Sequence, residues 1–108
     1  MVMLATLADA KDRLRVYHDD DDAALAGWLE AASEGVLAYL KAGAVGFYDA
    51  TTDTVTGGVP ARVTTATIML AGYLYRSPDA DEEGAFRHGE LPWPVTSLLY
   101  QMRDPALA

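Results

Sequence analysis

His18 and the four aspartates that follow it, Asp19 to Asp22, are the residues whose types and spacing most readily suggest chemistry. An imidazole beside several carboxylates offers nitrogen and oxygen ligands for a divalent cation. Hard cations want six or more oxygens, usually from a loop turned by a glycine. The run DDDDAALAG has neither the alternating spacing of a calcium loop nor a closing glutamate. Its better explanation is a helix start, with Asp19 or Asp20 capping free N–H groups and the rest near the positive end of the helix dipole. The other histidine, His88, sits in a separate polar connection with no serine nucleophile motif near it. Phosphate-binding glycine loops, HExxH and paired Cys/His spacings are absent. Asp79, Asp81, Glu82 and Glu83 form a second acidic group, which reads as a solvated loop or as a charged surface facing a partner or DNA. No catalytic, cofactor or metal site is expected, and the chain is not read as an enzyme.

These residues sit in a chain that predicts an all-α fold of about four helices: short, long, medium and short. Thr6 to Leu14 predicts the first, with Thr6 as cap, Asp9 in the first turn and Arg13 in the last. Val16 and Tyr17 then form a half-buried connection. Asp19 to Leu40 predicts a rod of about 33 Å. Its stripe is Leu25, Trp28, Leu29, Ala32, Val36, Tyr39 and Leu40; Ala23, Glu30, Ser33, Glu34 and Lys41 fall off it. Gly27 and Gly35 lie eight residues apart inside this helix, either tolerated or marking close approach of a neighbouring helix. Residues 43–58 break the helical period. They predict an irregular loop or a small β-hairpin, with Val45, Phe47 and Tyr48 pairing with Thr54, Val55 and Thr56 around Ala50–Asp53. Pro60 opens the third helix. No charge falls between Val63 and Tyr75, so this helix is expected at the centre or against other subunits. Residues 77–93 read as an acidic loop with a turn at Asp81–Phe86, and Pro94 starts a last helix over Val95–Arg103.

The 108 residues predict a single domain, 1–108, large enough for its own core. Hydrophobic residues make up 51% and charged residues 22%, which separates the chain from disordered sequences. No apolar run reaches the roughly 18 residues that span a bilayer. The start has no signal-peptide core, and the absence of cysteine fits synthesis in a cytosol. The net charge of −8 concentrates in residues 19–42 and 77–108, and no basic stripe exists to neutralise phosphates. Tight nucleic-acid binding by one subunit is therefore not expected.

Three blocks, in order, resemble a known family. LADAKDRLRVYHDDDDAALAGWLEAASEGVLAYL is similar to the opening of the tailed-phage head–tail connector (adaptor) proteins: a short helix, an LRhDHDDED-like turn and a long Leu/Ala/Tyr-rich helix. VPARVTTATIMLAGYLYRSPDA resembles the next helix, ending in a step that reads Leu74–Tyr75–Arg76 here. LPWPVTSLLYQMRDP resembles the closing element, with Leu98, Leu99 and Arg103. Residues 43–58 match no block, and Tyr100–Gln101–Met102 stand where a proline-containing step is often found.

The resemblance implies a structural subunit of the virion neck that forms a ring, commonly twelvefold, beneath the portal protein. The ring would extend the DNA channel without sequence-specific binding and receive stopper or tail-completion proteins. An acidic wall suits such a channel, because phosphate is repelled rather than held. Phe47, Tyr48, Trp93, Tyr100 and Arg103 are the candidate contacts with neighbouring copies or partners, and Phe47 and Tyr48 are expected to be poorly covered in an isolated subunit. Two other classes fit parts of the sequence: a small acidic regulator or DNA mimic, and a metal-dependent enzyme using His18 and the aspartates.

Overall fold

A computed structural model describes residues 3–76 and 93–102, except the side chains of Ala42 and Trp93. Four helices and one small hairpin make up the described chain: α1 (Leu7–Leu14), α2 (Asp22–Leu40), β1 (Tyr48–Asp49), β2 (Thr54–Val55), α3 (Ala61–Arg76) and α4 (Trp93–Leu99). The all-α class with a hairpin between the second and third helices is as expected. Of the expected loop over 77–93, residues 77–92 with the turn at Asp81–Phe86 and His88 lie outside the described residues, as does Arg103; Trp93 is the first residue of α4 and not part of a loop.

Helix α1 begins where Thr6 Oγ1 accepts the Asp9 N–H at 3.1 Å, the cap that the sequence predicts. It ends at Arg15, whose φ of 59° and ψ of 44° place it in the left-handed region. The Val16 N–H then returns to the Lys11 carbonyl at 2.9 Å, closing the last turn. That reversal buries Val16 and throws Tyr17 outward at 81% exposure, so the two do not share a half-buried environment.

Helix α2 starts at Asp22, three residues later than expected, and neither Asp19 nor Asp20 caps it. The N-cap position is Asp21, and it makes no side-chain capping bond. The carboxylates of Asp19, Asp21 and Asp22 face partners on other helices instead. The inward face of α2 carries Leu25, Leu29, Ala32, Val36 and Leu40, all fully buried, with Trp28 and Tyr39 half-buried at its borders. Ser33 was expected off this stripe, yet it is fully buried. Its hydroxyl accepts the Leu4 N–H at 3.0 Å and donates to the Leu29 carbonyl at 2.8 Å. A buried hydroxyl with both bonds made carries little desolvation penalty, and it pins the N-terminal segment to the middle of α2.

Lys41, with a positive φ of 53° and a ψ of −127°, ends α2, and one 3-10 turn, Lys41–Ala44, leads to the hairpin. The strands pair antiparallel with Tyr48 opposite Val55 and Asp49 opposite Thr54. The Thr56 N–H donates to the Phe47 carbonyl at 2.8 Å, carrying the pairing one step further. Pairing and turn thus follow the expected segments. Phe47 differs from expectation: it is 3% exposed and belongs to the main hydrophobic core.

Helix α3 is the central element, packed against α2, α4 and α1. The Pro60 carbonyl accepts the Val63 and Thr64 N–H groups and starts it. Val63, Ala66, Thr67, Ile68, Leu70, Ala71 and Gly72 are buried. Glycine at 72 allows close approach of α1: a Cβ there would lie 2.5 Å from Leu14 Cδ2, and the leucine side chain would have to shift. The Arg76 guanidinium donates to the Leu14 carbonyl at 2.8 Å beside this contact. Helix α4 places Val95 and Leu99 in the core and ends at Leu99, short of the expected Arg103, with residues 100–102 continuing as a turn.

Candidate assembly surfaces

The aspartate run is a clasp joining three helices. Lys11 Nζ lies 2.6 Å from Asp19 Oδ1 and 2.7 Å from Asp22 Oδ1; the first is also an aligned hydrogen bond, the second an ion pair without that alignment. The Tyr75 hydroxyl donates to Asp21 Oδ2. Two widely separated sequence features, the aspartate turn and the Tyr75–Arg76 step, therefore meet at one end of the fold, and α2 and α3 run antiparallel. Lys11's hydrogen bond holds the Asp19 carboxyl below its ordinary range, and the same bond holds the Lys11 ammonium above its own. The bond to Asp21 raises the Tyr75 hydroxyl. His18 Nδ1 is 3.9 Å from Asp20 Oδ2, and both side chains are largely exposed. Asp19, Asp21 and Asp22 thus turn toward a lysine and a phenol. Among the described residues, no group of three or more His, Cys, Asp or Glu is arranged to hold a metal ion.

The hairpin lies toward the other end of α2. A groove of about 680 Å³ opens between the end of that helix and the hairpin, lined by residues that include Leu37, Lys41, Val45, Tyr48 and Thr56. Val45 stands 78% exposed at this groove. Tyr48 is half-buried, and its hydroxyl donates to Asp53 Oδ1. That bond, with partial burial and the charges of Asp53, Asp49 and Glu34, raises the Tyr48 hydroxyl.

Of the candidate contacts named from sequence, Tyr48 lines this groove and Tyr100 is exposed beyond α4. Phe47 is enclosed in the core and offers no contact surface. The Trp93 side chain and Arg103 lie outside the described residues. Sequence reasoning did not single out Val45, Tyr17 or Met69, although all are exposed apolar side chains. Each adjoins buried apolar residues in the sequence (Val16 beside Tyr17, Ala44 beside Val45, Ile68 and Leu70 beside Met69), so no periodic signal separates them.

Among the described residues no helix is long and apolar enough to cross a membrane. No curated protein and no solved structure matches the chain. A family model described as phage gp6-like head-tail connector protein matches residues 4–101. That span includes the α1 cap, the aspartate clasp, the hairpin, the central helix and α4. The chain belongs to the phage gp6-like head-tail connector family and has a structural role in the connection between phage head and tail.

Proposed function

We propose that this chain is a single-domain subunit of a ring that docks beneath the portal, extends the DNA channel and receives stopper or tail-completion proteins. The family match over residues 4–101 carries the proposal. A ring needs two different surfaces on each subunit that fit head to tail. The half-buried Tyr48 and exposed Val45 at the hairpin groove, and the exposed Tyr100 beyond α4, supply candidate contacts; Trp93 and Arg103 are added to them from the sequence alone. Twelve copies would close the ring in the virion. The net charge of −8 suits a wall past which DNA slides without being held.

The test is the mass of the purified protein in solution and negative-stain imaging after mixing with its portal protein. Rings stacked on the portal are the expected result. A protein that stays monomeric and never associates with the portal overturns the proposal.

A further inference from the structure

The charges on the two longest helices are segregated. Helix α2 carries Asp22, Glu30 and Glu34 and no basic residue; α3 carries Arg62 and Arg76 and no acidic residue. The helices pack on each other through their apolar faces, so their outward faces point away from the shared core. On α3 the outward line runs Arg62, Met69, Arg76, all exposed and each seven residues from the next. On α2 it runs Glu34, Gly27 and then Asp20 in the turn just before the helix, again exposed and in steps of seven. Seven residues rise about 10.5 Å along a helix, a spacing shared by Arg62–Met69–Arg76 on α3 and by Glu34–Gly27 on α2, with Asp20 in the turn that leads into α2.

Gly27 is the second observation. A glycine inside a helix loses about 1 kcal/mol against alanine, and at Gly72 the contact with Leu14 explains that loss. At Gly27 a Cβ would meet nothing within 4 Å. The chain's own packing does not require this glycine. It opens a shallow groove of about 310 Å³ with Ala23, Ala24, Trp28 and Ala31.

We infer that a second copy of this chain docks here, laying Arg62, Met69 and Arg76 of its α3 antiparallel along Glu34, Gly27 and Asp20 of α2. Two arginine–carboxylate pairs flank a methionine seated over the glycine notch. The inference rests on the ring proposed above and names the faces that join in it. A two-fold contact of either face with itself sets carboxylate against carboxylate or arginine against arginine. Only the head-to-tail contact pairs opposite signs, and such a contact is the kind that a ring repeats around its axis.

Charge exchange tests it in the full chain, mixed with portal protein. Glu34→Arg alone and Arg62→Glu alone should each keep the wild-type melting curve and lose at least about tenfold in ring yield, because every interface then carries a like-charge pair. An equimolar mixture should recover rings, since the two variants alternate with opposite charges facing. Rings from either variant alone at wild-type yield, or no recovery in the mixture, overturn the docking faces while leaving the ring intact. Absence of rings from the wild type overturns the ring itself. The chain has no cysteine, so a Gly27→Cys copy mixed with a Met69→Cys copy gives an independent readout. Mild oxidation of the assembled ring should link the two, and failure to link them counts against the register.

Discussion

Replacing Ser33 with alanine should destabilise the fold more than its single hydroxyl suggests. The hydroxyl is fully buried and accepts the backbone N–H of Leu4, itself only 3% exposed, at 3.0 Å. Leu4 lies ahead of α1 in a bend, so no helical carbonyl replaces the lost acceptor. An orphaned buried donor costs about 1–3 kcal/mol, and alanine's better helix preference returns about 0.5 kcal/mol. The net loss is about 1.5 kcal/mol. With an unfolding entropy near 2.1 cal/mol/K per residue, that loss lowers Tm by about 7 °C for a chain of this length. Thr67→Val is the matched control. Thr67 is equally buried, but its hydroxyl only donates to the Val63 carbonyl at 2.8 Å within its own helix, so removing it orphans no donor. That variant should stay within about 0.5 kcal/mol of the parent. Thermal melts followed by far-UV circular dichroism measure both. Equal shifts for the two variants would refute the claim that the Leu4 contact, rather than hydroxyl burial in general, carries the energy.

Three further outcomes follow from the same geometry. Gly27→Ala should raise the Tm of the isolated subunit by about 4 °C, from about 1 kcal/mol of helix preference, because its methyl group enters open space; a lowered Tm would show a contact at that site within the subunit. Arg15→Gly should stabilise by about 0.5–1 kcal/mol, since glycine adopts the left-handed C-terminal position of α1 without the Cβ penalty; denaturant unfolding that gives no gain would mean that the arginine side chain offsets its own backbone strain. The Asp19 and Asp53 carboxyls are held below their ordinary range by hydrogen bonds from Lys11 and Tyr48. Their contribution is present above the unfolded aspartate pKa and is lost as pH falls through the lower folded values, so stability should decline on acidification below about pH 4. Lys11→Met should flatten that decline in melts recorded against pH, and an unchanged slope would remove Lys11 from the cause. Lys11, Tyr48 and Tyr75 are shifted upward, so their contribution is present below about pH 10 and is lost as pH rises through the folded values.

Much of the fold was legible because its signals are local. The Thr6 cap, the Leu25–Leu40 stripe, the hairpin segments around Ala50–Asp53 and the Pro60 start of α3 depend on residues within a turn or two of one another. The uncharged run of α3 also implied a helix enclosed on several sides, which is the position it takes against α1, α2 and α4. The three blocks in order pointed to the family that the match over 4–101 assigns. The candidate contacts were less legible. An aromatic residue in a glycine-rich loop looks the same whether it turns inward, as Phe47 does, or lines a groove, as Tyr48 does.

What the sequence alone determined, then, was which segments are helical, which faces are apolar and where charge accumulates. Tertiary structure decided how polar groups were used, because their partners are distant in the chain. Four aspartates at a helix start suggest capping by local chemistry, yet Lys11 and Tyr75 arrive from α1 and α3 and take three of the four carboxylates. Ser33 reads as a surface residue until Leu4 comes within 3.0 Å of it across 29 residues. Gly27 and Gly72 are the same residue in two helices. Only packing separates the glycine that Leu14 crowds from the one whose Cβ would meet nothing within 4 Å.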